Sequence, residues 1–214
     1  ARWAANSDHM IEQAVKNGDA NSEAIALTMR ALFVSNWTDI YGDIPFSEAF
    51  QGRNNVLKPK FDTQKEVYTQ LFADLERANS LYDPSRALRY PNKDLMYKGD
   101  IAKWCKFTNS LHMRLLMRLQ NRDAEMGVSE TLREIVSNPS RYPVMASNAD
   151  NAALFYTNVD PFIGHFGTTT LQSFTSNSHR MAERLVNLMN NTNDPRLGIY
   201  AVQQNNEWTG LVSG

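Results

Sequence analysis

Gly99-Asp100-Ile101-Ala102-Lys103-Trp104-Cys105-Lys106-Phe107-Thr108-Asn109-Ser110-Leu111-His112-Met113-Arg114-Leu115-Leu116-Met117-Arg118-Leu119 decides the fold of this 214-residue chain. Ile101, Trp104, Phe107, Leu111, Leu115 and Leu119 recur at steps of three and four, which places them on one side of an α-helix starting near Gly99-Asp100. Arg114, Arg118 and Arg122 follow every four residues beside that stripe, late in the helix, where cations complement the carboxyl-end dipole.

Upstream, Thr63-Gln64-Lys65-Glu66 is a capping box in which hydroxyl and carboxylate each satisfy an otherwise unpaired backbone N–H. Val67, Leu71, Leu75 and Ala78 then form a buried stripe that Asp83-Pro84 ends. Another helix runs from Asn21 or Ser22 to Asp39, with Ala24, Leu27, Ala31 and Val34 on one face. It stops at Tyr41-Gly42-Asp43-Ile44-Pro45, where Gly42 permits a positive-φ cap and Pro45 blocks continuation.

Downstream, Ser129 is expected to cap a shorter helix through Leu132, Ile135 and Val136, stopped by Asn138-Pro139. Residues 141–177 carry Pro143, Pro161, Gly164 and Gly167 and no helical stripe, so they read as one long irregular segment. Helix resumes near Ser178 with Met181, Leu185, Leu188 and Met189 on its apolar face. Ile199-Tyr200-Ala201-Val202 reads as the start of a strand. Helix, turn, helix at roughly 40-residue spacing predicts a mainly α fold of tetratricopeptide-like hairpins. Residues 1–214 read as a single domain, with 141–177 an irregular insertion within it.

The composition excludes several function classes. Twenty-two Lys and Arg nearly cancel 23 Asp and Glu, leaving a formal charge of −1 and no electrostatic footprint for nucleic acid. No apolar run reaches about 18 residues. Cys105 is the lone cysteine, so neither an intrachain disulfide nor a cysteine-based zinc cluster forms within the chain. His9, His112, His165 and His179 are scattered without metal-ligand spacing, and no Gly-rich phosphate loop or Gly-x-Ser-x-Gly elbow occurs. No metal and no cofactor is expected. A helical sugar hydrolase needs only two suitably spaced carboxylates, but Asp39 and Asp43 read as helix-end and turn residues, and Asp150 and Asp160 as turn formers. No catalytic residue is assigned, and the protein is read as a non-enzyme.

Aromatic residues give the functional thread, because the apolar CH faces of sugars stack on flat rings. Trp104, Phe107 and Phe72 lie on helix faces and read as core. Tyr90, Tyr156, Phe162, Phe166 and Trp208 fall in irregular stretches among Asn, Gln and Thr side chains, and they are the candidate ligand-binding residues. Trp208, between Asn205-Asn206-Glu207 and Thr209-Gly210, is the best placed. Twenty-one asparagines supply neutral donors and acceptors suited to hydroxyls.

Asp39-Ile40-Tyr41-Gly42-Asp43-Ile44-Pro45-Phe46-Ser47-Glu48-Ala49 resembles the signature of the SusD/RagB family, closest to the SusD-like branch described as starch-binding associating with outer membrane. Leu57 to Tyr68, Asp74 to Ala78, Asp94 to Trp104, Phe107 to Leu115, Met145 to Ala152 and Asn193 to Leu197 agree with it in order. The resemblance implies a mostly helical, tetratricopeptide-like fold and a nutrient-binding lipoprotein on the outer-membrane surface of a Bacteroidetes-type bacterium. It implies a lipid anchor on an N-terminal Cys, absent from this chain, and a SusC-like TonB-dependent transporter as partner. It also implies a chain incomplete at both ends. The family's recurring motifs are mainly structural, so its ligand residues do not transfer.

The expected role is therefore capture of an oligosaccharide or other nutrient for that transporter. Two other classes stay open on the residues alone: a helical-repeat scaffold that binds a protein or peptide, and a helical glycosidase.

Overall fold

The computed structural model describes residues 2–156 and 181–212. The chain divides into two compact units, Ala1–Leu154 and Phe155–Gly214. The first is a run of helices: α1 (Arg2–Asn17), α2 (Ala20–Tyr41), α3 (Gln64–Leu81), α4 (Ile101–Arg118), the short α5 (Asp123–Met126) and α6 (Val128–Ser137). Successive partners pack as α1 on α2, α2 on α3, α3 on α4 and α4 on α6, which is the expected series of tetratricopeptide-like helical hairpins.

Helix α1 is not among the helices expected from the sequence. Its buried positions are Ala4, Ser7 and Ala14, and Ile11, on the same helical face, packs partly buried against Ala24, Leu27 and Ala78. Helix α2 was expected to bury one stripe, and Ala24, Leu27, Ala31 and Val34 are indeed buried. It also buries Asn21, Glu23, Thr28, Ser35 and Thr38, because α1, α3 and α4 all pack against it.

Helix α3 begins at the expected capping box. The Glu66 N–H donates to Thr63 Oγ1 at 3.3 Å, and the Thr63 N–H donates to Glu66 Oε2 at 2.8 Å. Val67, Leu71, Leu75 and Ala78 are fully buried. Ala31, Val34, Val67, Tyr68, Leu71, Leu75, Leu111 and Leu115 form a shared core of α2, α3 and α4.

The entry to α4 is organised by one carboxylate. Asp94 accepts from the N–H groups of Met96, Tyr97 and Gly99 and from Trp104 Nε1, the last at 2.8 Å. Gly99 has φ +88°, and a Cβ there would meet Pro91 Cβ at 2.7 Å, so only glycine fits. Asp100 then caps the helix by accepting from the Lys103 N–H at 3.1 Å. Trp104 is buried with Ile25, Tyr97 and Ile101, its ring edge-on to Tyr97 at 5.3 Å between centroids.

After α6 the chain returns along α4 without regular structure apart from a single 3-10 turn, Asn148–Asp150. Asn109 Nδ2 donates to Pro143 O at 3.0 Å, Asn79 Nδ2 to Arg141 O at 3.1 Å, and Lys106 Nζ to Asp150 Oδ1 at 2.9 Å. The remainder of the expected irregular segment from residue 157, with Phe162 and Phe166, lies outside the described residues.

Three expectations change. Ser129 is not a cap: Gly127, with φ +62°, occupies that position. The Ser129 N–H and hydroxyl instead bind the Asp123 carboxylate. In the second unit, α7 (Glu183–Asn191) buries Val186 and Met189, while Leu185 and Leu188 are exposed. Met181, Leu197, Ala201 and Trp208 pack on the Val186–Met189 side, which rotates the apolar face. The expected strand at 199–202 is a helical turn, α8 (Leu197–Tyr200), followed by extended chain. Asp194 starts that turn by accepting from the Arg196 N–H at 3.0 Å, and its carbonyl accepts from Leu197. Gly210 lies so close to the Glu183 backbone that a Cβ would collide with it, which allows Leu211 to pair with Met181 and Glu183.

Two outcomes test this packing. Trp104→Ala is expected to cost about 3–5 kcal/mol in urea unfolding. His112 is buried against the Phe72 ring at 5.2 Å, and its Nε2 has no hydrogen-bond partner among the described residues. Burial holds its pKa down at about 4, with Glu76 opposing weakly. The unfolded chain therefore binds the extra proton first. Stability from this group is complete above about pH 6.5 and falls as the pH drops toward 4. His112→Phe should keep the fold at neutral pH and flatten the dependence of the urea midpoint over that window. An unchanged dependence would remove His112 as its source.

Candidate functional site

A cleft of about 910 Å³ opens in the first unit, within the range of about 300–1,000 Å³ typical of ligand sites. One wall is α1, through Asn6, Asp8, His9 and Glu12, and the opposite wall is the segment from Phe46 to Asp62. Arg30 of α2 and Gln70 of α3 also line it.

The opposite wall is fixed by Asp62. Its backbone pairs with Ile44 in both directions, at 2.9 and 3.2 Å. Its side chain accepts from the Phe46 and Ser47 N–H groups at 3.0 and 2.7 Å, from Ser47 Oγ at 2.8 Å and from Lys60 Nζ at 3.2 Å. Burial alone would raise the Asp62 pKa, but the bonds from Ser47, Lys60 and Phe46 outweigh it and hold the group at about 2. A carboxylate so engaged is a structural anchor.

Arg30 is likewise committed. Its Nη1 donates to Asp8 at 2.6 Å, and Nε and Nη2 donate to Asp74 at 3.0 and 2.7 Å, while the guanidinium lies 5.6 Å from the Phe46 ring centroid. Gln70 donates to Asp74, Gln51 to Ser47 O, and Glu66 is held in its capping box. Both lining cations, Arg30 and Lys60, are thus committed to carboxylates, and the four lining acids Asp8, Glu12, Asp62 and Glu66 leave the cleft with an acidic surplus. Asn6 and Asn54 make no side-chain hydrogen bond among the described residues. Phe50 lines the same cleft, 40% exposed and with φ +60°, a left-handed conformation that is strained for a bulky side chain.

Of the residues singled out in the sequence, Tyr90 lies in the first unit. It is 59% exposed just before a 3-10 turn, with the Arg89 guanidinium 5.4 Å from its ring. Tyr156, in the second unit, is 61% exposed. Trp208 is partly buried and packs on Val186, Met189 and Leu197. It follows a tight turn in which Asn205 and Asn206 both adopt positive φ while Gln204 and Glu207 exchange backbone bonds. Phe162 and Phe166 are outside the described residues.

The weighed acids have structural partners. Asp39 accepts from Tyr68 at 2.7 Å and Arg118 at 2.8 Å, and Asp43 accepts from the Gln64 N–H at 2.9 Å. Asp150 accepts from Lys106 and from the Ala146 and Ser147 N–H groups. Asp160 is outside the described residues. Among those described, no three His, Cys, Asp or Glu side chains converge as a metal site. Sequence reasoning missed the cleft because Phe46 to Ala49 registers there only as a turn after α2. The one available signal was the concentration of Phe46, Phe50, Phe61 and amides in a short irregular stretch.

Comparison with solved structures finds the same architecture. A SusD homologue from Bacteroides fragilis is 25% identical with a TM-score of 0.71, covering 90% of this chain and 39% of that one. A SusD/RagB family protein from Bacteroides thetaiotaomicron is 27% identical with a TM-score of 0.72, covering 91% and 39%. A chitin-binding SusD homologue from Flavobacterium johnsoniae is 26% identical with a TM-score of 0.67, covering 86% and 37%. The chain thus spans about two fifths of the length of these structures. No functionally curated protein matches it. The family model described as starch-binding associating with outer membrane matches residues 2–214, and the chain belongs to this SusD-like family.

Proposed function

We propose that the protein is a non-enzymatic, surface-exposed lipoprotein component of an outer-membrane nutrient-uptake system. It captures oligosaccharide and passes it to a SusC-like TonB-dependent transporter. The family match across residues 2–214 carries this reading. The structural commitment of Asp39, Asp43 and Asp150 favours binding over hydrolysis, since none of them is left as a free acid or base. The exposed rings of Tyr90 and Tyr156 suit stacking on sugar faces, and near-zero net charge suits a neutral ligand. Trp208 contributes through whatever part of its ring its packing leaves open. Phe162 and Phe166 remain in the proposed set on the sequence argument.

A protein-binding reading is favoured by one observation. An apolar groove lined by Trp37, Tyr41, Ile44, Pro45, Ala49, Phe50 and Pro59 adjoins the end of α2, where Ile40 and Tyr41 are exposed.

Affinity measurements against neutral oligosaccharides, including linear α-glucans and chitin oligomers, separate these readings. Tyr90→Ala and Tyr156→Ala should each weaken binding by about three- to tenfold, equivalent to roughly 0.5–1.5 kcal/mol, with unchanged unfolding midpoints. No saccharide binding by the unmodified protein, or turnover of the oligosaccharide, would sink the proposal. Co-expression with a SusC-like transporter from the same genome should give a complex that co-purifies, and its absence would remove the delivery step.

A further inference from the structure

We infer that the cleft between α1 and the Phe46–Asp62 segment is a saccharide site for neutral, hydroxyl-rich ligands, with Phe50 as its stacking platform and Asn6 and Asn54 as hydrogen-bonding arms. This rests on the nutrient-binding reading and assigns it a place that the loop aromatics do not occupy.

Arg30 is shared between Asp8 and Asp74, Lys60 is paired with Asp62, and Glu66 is held by its cap. An anionic ligand would have to displace a carboxylate from Arg30 or Lys60 and face the acidic surplus of the lining, whereas a neutral one leaves these pairs intact. The uncommitted groups are the amides of Asn6 and Asn54, each both donor and acceptor, and the Glu12 carboxylate, whose neighbour His9 stands 3.6 Å away at the rim. Such groups match vicinal hydroxyls, which donate and accept at once.

The second observation is Phe50. A bulky residue at φ +60° is strained relative to ordinary backbone, and such strain persists only where the surroundings impose it. The chain around Phe50 is fixed on both sides. Ala49 N–H donates to Phe46 O at 3.1 Å, and Val56 N–H returns to Gln51 O at 3.3 Å. The result is a ring 40% exposed that lines both this cleft and the apolar groove beside Trp37 and Tyr41, with no aromatic or cationic partner among the described residues. An apolar face beside amides is the arrangement that recognises a pyranose ring by its CH side and its hydroxyl side together.

The test is calorimetric titration of maltoheptaose, chitohexaose and, as an anionic contrast, oligogalacturonate. Phe50→Gly removes the ring and the backbone strain together, so the fold should be retained with an unfolding temperature at or above that of the parent. Asn6→Ala and Asn54→Ala change exposed amides without touching the backbone. The expected result is binding of at least one neutral probe, insensitive to ionic strength, no binding of oligogalacturonate, about tenfold loss in Phe50→Gly and several-fold loss in each asparagine variant. Parent-like affinity in all three variants would overturn the cleft assignment and leave the nutrient-binding reading standing on Tyr90 and Tyr156. Binding of oligogalacturonate in preference to the neutral probes would also overturn it. If the unmodified protein binds none of the probes, the reading and the site fall together.

Discussion

Helix α2 packs against α1, α3 and α4, so each polar group it buries has to find its partner inside the fold. The Thr28 hydroxyl meets those of Thr108 at 2.7 Å and Tyr82 at 3.1 Å, and Tyr82 closes the triangle on Thr108 at 3.0 Å. Glu23 pairs with Arg77 of α3. Asn21 donates to Asp83 O and Arg86 O and accepts from the Asp83 N–H, which holds the turn after α3 against the start of α2. A buried hydroxyl or amide left unmatched costs about 1–3 kcal/mol, so these pairings specify one arrangement of the helices and disfavour any slip.

The cleft inherits its geometry from the same helix. Arg30 projects from α2 and ties Asp8 of α1 to Asp74 of α3. At the other end, Thr38 accepts from Gln64 Nε2 and donates to Gly42 O, which fixes the reversal leading to Ile44. The Ile44–Asp62 pairing and the bonds of the Asp62 carboxylate then set the segment that faces α1. The cations that hold the walls together are thereby removed from recognition, and the groups left over are the amides of Asn6 and Asn54 and the Glu12 carboxylate. The acidic surplus that remains in the lining disfavours an anionic ligand there.

Much of this was legible in the sequence where a signal is local. The capping box at Thr63, the stripes of α3 and α4 and the stop at Gly42 depend on neighbours three or four residues away, and they appear as read. Helix α1 was missed although Ala4, Ile11 and Ala14 recur at helical spacing, since no capping signal marks its start. The face of α7 shifted because Met181, Leu197 and Trp208 choose which side is buried, and that choice is made by tertiary packing. Ser129 looked like a cap but had a closer partner in Asp123, since the short α5 and Gly127 reorganise the chain before it. The cleft was hidden for a deeper reason. Asp62 and Ile44 lie far apart in sequence, as do Asn6 and Asn54, and only the folding of α1 onto α2 brings their segments to one opening. The family signature marks the turn that builds this wall, but a motif conveys that a turn exists and not what faces it.

The most direct measurement is backbone amide chemical-shift mapping of the protein titrated to saturation with the best-binding neutral oligosaccharide. The account predicts that the largest perturbations cluster in residues 5–12 and 46–54, the two walls of the cleft, with small changes along α4 and its buried partners. A saturated complex whose perturbations leave both walls untouched would contradict it.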